Sequence, residues 1–386
     1  MGLIGGSTLA ACDDFLSRGN TGGLDAQQFF LQLTNLNEVH LALLRGDQSV
    51  LQGLPVFSAR LRVVGEISRG AMGVVYQAWD THIERMVAIK EMLASQPSPK
   101  AFLRFQAEAR AMAAIRHPAV VGVFDVGTSQ RGTPYLVMEF VAGATLSDVV
   151  KLVAQGHSLE EVLQPKATGS LEASGSRLAI EQVVAWGCSL AAGLQACHEQ
   201  GVIHRDVKPS NVLICQDGHA KLTDFGVALD PQGHHERLTA PGGSVGTPLY
   251  MAPENLLGSR EFENVGPSAD VYSLGATLFT ALTGSPPFVA ASQQELFVKV
   301  YRGNVSPLSD YRDDVPAGLE AILEKCLQRD PAQRFQTAAQ VEDALKAYQL
   351  GGEKAPSRSG GVSWHHVLIA LAALLLVLVL AVAWFA

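Results

Sequence analysis

Asp206, Lys208 and Asn211 stand together in HRDVKPSN, residues 204–211, and Asp224 follows in TDFG, residues 223–226. Two carboxylates, an amide and an ammonium in that order suit metal-assisted phosphoryl transfer. Asp224 and Asn211 offer hard oxygen ligands to Mg²⁺ or Mn²⁺, Asp206 can accept a proton from a hydroxyl, and Lys208 can neutralise charge on the group in transit. Either short motif alone could arise in any loop. Together they are specific.

A second set lies upstream. ISRGAMGVVY, residues 67–76, reads as a phosphate-cradling loop in which Ser68 takes the first of three glycine positions, ahead of Gly70 and Gly73. Strand-formers flank it on both sides, so it is a hairpin turn, which excludes a dinucleotide fold whose glycines must open a helix. Serine keeps its N–H and adds only a small side chain, so the loop should still hold a nucleotide. In MVAIK, strand alternation puts Ala88 and Lys90 on one face and Val87 and Ile89 on the other. Residues 100–116 form an amphipathic helix with Phe102, Phe105, Ala109, Met112 and Ile115 on its apolar face. Glu108 shares that face, and a carboxylate there needs a cation; Lys90 is the expected partner.

These residues need a scaffold. From Leu61 to about Tyr348 the chain runs through β-rich segments and then mostly helices, without an internal repeat. A long apolar helix from about Leu178 to Glu199 delivers the chain to HRDVKPSN. Between Gln155 and Arg177 a polar stretch rich in Ser and Gly reads as an exposed loop insertion.

The ordered motifs identify residues 61–348 as resembling a protein kinase domain, specifically the bacterial serine/threonine kinases of eukaryotic (Hanks) type. The match continues through GTPLYMAPE at 246–254, SADVYSLG at 268–275 and DPAQRF at 330–335. The resemblance implies an α+β, bilobal fold with a small β-rich lobe, a larger helical lobe and ATP in the cleft between them. It implies that Lys90, paired to Glu108, contacts the α- and β-phosphates. Ile67, Ser68, Gly70, Gly73, Val75 and Ala88 would enclose the nucleotide from above. Met138, Glu139 and Val141 of PYLVMEFV would lie along the adenine edge, with Leu213 as its floor. Asp270 is expected to brace the catalytic loop, and Glu254 to pair with Arg334. The motif details resemble the serine/threonine pattern rather than the tyrosine one, which implies protein substrates bearing those hydroxyls. In the family, an arginine placed as Arg205 is stays unpaired until a loop phosphate arrives. Thr239 and Ser244 are the candidate sites, and Thr247 is not. Phosphorylation would then proceed in trans within a transient homodimer. A pseudokinase scaffold would be free to lose Lys90, Asp206, Asn211 or Asp224, and all four are present.

The net charge of −8, with no long basic run, argues against sequence-independent binding of nucleic acid. Five scattered cysteines show no zinc or disulfide spacing and fit a reducing compartment. VLIALAALLLVLVLAVAWFA, residues 367–386, has no charged side chain, and twenty helical residues rise about 30 Å, a bilayer's hydrocarbon thickness. Trp364 and Trp384 bracket it, and residues 351–363 form a flexible linker before it, so a transmembrane helix at 364–386 is expected. It should cross the bacterial cytoplasmic membrane once, with the kinase domain inside and almost nothing beyond. Residues 1–56 carry only a ragged helical stripe within Leu24 to Leu44 and weak matches to lipidation signals at Gly2 and Cys12.

Overall fold

The computed structural model describes residues 55–70, 73–92, 99–163, 177–225, 248–257 and 266–351. The N-terminal extension, the linker and the expected transmembrane segment lie outside them, as do Thr239, Ser244 and Thr247. Among the described residues no helix is long and apolar enough to cross a membrane.

Five strands open the fold: β1 (Leu61–Arg69), β2 (Gly73–Asp80), β3 (Arg85–Met92), β4 (Val123–Thr128) and β5 (Pro134–Glu139). They form one antiparallel sheet in the order β1-β2-β3-β5-β4. Alternation along β3 divides its side chains between two cores. Val87 and Ile89 are fully buried on the outer face, where they pack with Phe57, Val63, Tyr76 and Val137. Ala88 joins the inner cluster with Leu136 and Met138.

That inner face is covered by helix α1 (Pro99–Ala114). Phe105, Ala109 and Met112, at helical spacing, and Ile115 just beyond the helix are all buried in the same cluster. The expected amphipathic helix is therefore present and docks through its predicted stripe.

A short strand β6 (Gly143–Thr145) starts a second sheet, completed by β7 (Val212–Cys215) and β8 (Ala220–Leu222). Helices then dominate. They are α2 (Leu146–Ala154), α3 (Leu159–Leu163), α4 (Ile180–Glu199), α5 (Pro253–Leu257), α6 (Pro267–Thr283), α7 (Gln293–Arg302), α8 (Ala317–Cys326) and α9 (Ala338–Gln349). Every residue of α6 from Ala269 to Leu282 is buried, so it is the axis of the helical lobe. Gly275 is required there by close approach, since a Cβ would stand 2.6 Å from Cys326 Cβ of α8. The thiols of Cys188, Cys197, Cys215 and Cys326 are free and buried. Burial pushes those of Cys197 and Cys326 up to about 12, which leaves them unreactive.

Helix α3 corrects the reading of 155–177 as an uninterrupted exposed loop. Ser158 and Glu161 cap it reciprocally: the Ser158 hydroxyl accepts from Glu161 N–H at 3.2 Å, and the Glu161 carboxylate accepts from Ser158 N–H at 2.8 Å. Leu159, Val162 and Leu163 then face the core. Residues 164–176 lie outside the described set.

Glu254 of α5 and Arg334 form the expected buried pair, with two bonds of 2.7 and 2.8 Å. Both side chains are almost inaccessible to solvent.

Candidate active site

The segment between α4 and β7 is held by α6 beneath it. Asp270, fully buried, accepts the His204 and Arg205 backbone N–H groups, each at 2.8 Å, and its Oδ2 also lies 2.8 Å from His198 Nε2. Asp270 thus braces the loop as expected. Arg205 is forced to a φ of 64°, a left-handed conformation uncommon for a side chain of this size. The His204 ring packs at a tilt of 37° against Phe225, with centroids 4.4 Å apart. Burial depresses its pKa, so the ring is neutral. A carbonyl can only accept, so Nε2–H donates to Thr223 O at 3.0 Å, which leaves Nδ1 to accept from Asp206 N–H at 3.4 Å.

With the backbone fixed, three of the predicted side chains converge. Lys208 Nζ bonds both oxygens of Asp206, at 3.0 and 2.7 Å. Asn211 Nδ2 donates to the Asp206 carbonyl at 2.8 Å and to its carboxylate at 2.9 Å. The Asn211 backbone carbonyl accepts from Thr223 N–H at 2.9 Å, which ties this segment to the residue preceding Asp224.

The fourth predicted residue meets Lys90. The turn at Asp224, with φ 57°, brings its Oδ1 to 2.7 Å from Lys90 Nζ. The ammonium's 2.7 Å ion pair is with Asp224, a contact that the expected pairing of Lys90 with Glu108 did not include. The left-handed turn presents the carboxylate at the inner face of β3, where alternation has already placed the lysine. Glu108 is half-buried on α1.

Among the remaining predicted positions, Ser68, Val75 and Ala88 share the face of Lys90, whereas Glu139 stands opposite Val87 of the outer face. Ser68, Val75, Lys90 and Leu136 form one row across β1, β2, β3 and β5. Ala88 lies opposite Met138, and Val75, Val141 and Leu213 are half-buried against the same cluster. The β1–β2 register slips between Glu66 and Ser68, so Ile67 is the extra residue of a bulge and is 50% exposed. Gly70 N–H bonds Gly73 O at 2.9 Å and closes the hairpin.

The two glycines differ in what requires them. A Cβ on Gly70 would meet nothing within 4 Å, whereas one on Gly73 would stand 2.4 Å from the Glu91 carbonyl of β3. Gly73 is therefore demanded by its neighbouring strand, not only by a phosphate. Gly73→Ala should destabilise the protein by about 1–3 kcal/mol, the usual cost of overpacking, read as a lowered midpoint in thermal denaturation. A Gly70→Ala control should melt with the wild type.

Glu139 holds a contact that the sequence did not indicate. Its Oε1 lies 2.5 Å from Lys221 Nζ of β8, and its Oε2 accepts Gly122 N–H at 3.3 Å. Its backbone N–H is bonded to Gly122 O at 2.8 Å. In a three-residue strand Lys221 gives no periodic signal, and only the register, which sets it opposite Leu213, brings it near the cleft.

Comparison with known proteins gives the family. Residues 61–345 match the family model described as the protein kinase domain. The serine/threonine-protein kinase PknB of Mycolicibacterium smegmatis is 35% identical over 299 residues, which are 76% of this chain and 44% of that one. PknA of Mycobacterium tuberculosis is 34% identical over 76% of this chain and 62% of its own. The chain thus spans less than two thirds of these relatives' length. The crystal structure of the M. tuberculosis PknI kinase domain superposes with a TM-score of 0.56 at 26% identity, covering 77% of this chain and 98% of that domain. The chain belongs to the protein kinase family, among the bacterial Hanks-type serine/threonine kinases.

Proposed function

We propose that the chain transfers the γ-phosphoryl group of ATP to serine and threonine hydroxyls of proteins. The observation that carries this reading is the convergence of Asp206, Lys208 and Asn211 in one hydrogen-bonded cluster, joined through Thr223 to the Lys90–Asp224 pair. Asp206 accepts the proton of the attacking hydroxyl, and Lys208 balances charge on the phosphoryl group. Lys90 binds the α- and β-phosphates, while Met138, Glu139, Val141 and Leu213 bound the adenine, with Ile67, Val75 and Ala88 above it.

Asn211 and Asp224 supply an amide and a carboxylate oxygen, a donor set suited to Mg²⁺ or Mn²⁺. Such a cation supplies charge neutralisation at the phosphates. Incubating the full chain with γ-labelled ATP and a serine/threonine peptide tests the reading. Phosphoserine or phosphothreonine should form and EDTA should stop it; label on tyrosine alone, or none, refutes it. Ser68→Gly should change KM for ATP only a few-fold, since a small contact is worth about 1 kcal/mol. A hundredfold change would assign Ser68 a larger role.

Arg205 is exposed and has no ion-pair partner among the described residues, which supports a phosphate-responsive switch with Thr239 and Ser244 as acceptors. A double Thr239→Ala, Ser244→Ala chain retaining full activity would exclude it. Residues 364–386 are read as a single membrane crossing that holds the catalytic domain at the cytoplasmic face. Their uncharged composition supports this, as do Lys354 and Arg358 on the kinase side. Confinement there would favour phosphorylation in trans between two copies. A reporter fused after Ala386 that stays cytoplasmic would refute the crossing.

A further inference from the structure

Glu139 is the last residue of the five-stranded sheet, and the chain passes from it to β6 of the smaller sheet. Its carboxylate reaches across that passage to Lys221, the middle residue of β8, at 2.5 Å. The other oxygen and the Glu139 backbone N–H are both held by Gly122. Glu139 is therefore fixed by its main chain to one lobe and by its side chain to the strand under the cleft. Lys221 stands opposite Leu213 in register.

We infer that Lys221 is a positioning residue for the nucleotide: its ion pair with Glu139 sets the spacing between the adenine edge at 138–141 and the floor at Leu213. The inference rests on the ATP-binding reading above. Among the described residues Lys221 bonds Glu139 alone, whereas Asp206 and Asp224 are matched to Lys208 and Lys90. It does not touch the reacting groups, so it acts on affinity and not on the chemical step. The side chains are 19% and 33% exposed, and partly solvated pairs of this kind add little to global stability. What such a pair can fix is the geometry of the edge from which the ligand is held.

The test uses the full chain with Lys221→Met, Lys221→Arg, the single reversals Glu139→Lys and Lys221→Glu, and the exchange that combines them. A fluorescent ATP analogue measures Kd, and peptide phosphorylation measures KM and kcat. Lys221→Met should raise Kd and KM for ATP about five- to tenfold while kcat stays within about twofold, the signature of lost binding that is uniform between ground and transition states. Lys221→Arg should restore the wild-type Kd, and the exchanged pair should bind better than either single reversal. An unchanged Kd in Lys221→Met overturns the inference, as does an arginine variant as weak as the methionine one. So does a fall in kcat that tracks a fall in melting temperature. Wild-type chain that binds the analogue but phosphorylates nothing would refute the transfer reading alone, with the Kd series still deciding the role of Lys221. Wild-type chain that does not bind would refute both.

Discussion

Asp206→Asn should lower phosphoryl transfer by about a thousandfold, within the range that a positioned general base contributes. The substitution keeps shape and most of the local bonding. Asn211 Nδ2 still donates to the residue 206 carbonyl, and the loop backbone remains held by Asp270. What disappears is the basic oxygen that takes the hydroxyl proton, together with the charge that holds Lys208 at 2.7 and 3.0 Å. ATP affinity should change little, because no proposed nucleotide contact is altered. Transfer to a peptide, nucleotide binding and thermal denaturation measured side by side would check this. A well-folded variant turning over within tenfold of the wild type would remove Asp206 from the base role.

Arg334→Met should cost about 3–5 kcal/mol of stability, the range for stranding one member of a buried ion pair. Glu254 is 2% exposed and would keep a charge without its bidentate partner. Arg334 also donates to the carbonyls of Gln328, Arg329 and Ser268, which would lose a donor together. For a domain of this size the melting midpoint should fall by about 10 °C. The double variant Glu254→Met, Arg334→Met should recover part of the loss, since it buries no isolated charge. A double variant less stable than both singles would show that the carbonyl contacts, and not the stranded carboxylate, dominate.

The catalytic cluster was legible because Asp206, Lys208 and Asn211 lie within one loop, where sequence spacing constrains geometry directly. The alternation of Val87 to Lys90 and the stripe of α1 were legible for the same reason: period fixes face. What could not be read was pairing across elements. Glu108 was the acid expected beside Lys90, and the contact with Asp224 depends on a left-handed turn that no residue type announces. The need for glycine at 73 depends on a neighbouring strand's carbonyl, and Lys221 depends on register alone. Helix α3 is a different case. Its Ser158–Glu161 cap was present in the sequence, but the polar stretch around it read as loop.

Asp270 separates the shape of the catalytic loop from its chemistry. The loop's contour is dictated by a carboxylate inside the lobe's central helix, whereas the proposed proton transfer depends on the Asp206 carboxylate, to which Asp270 makes no hydrogen bond. In evolutionary terms, a descendant can be silenced by exchanging a single residue at 206 or 211 and remain a well-formed binding scaffold. Drift at 270 would erode architecture and catalysis at once. Inactive descendants of such a chain should therefore differ at the cleft and retain the aspartate beneath it.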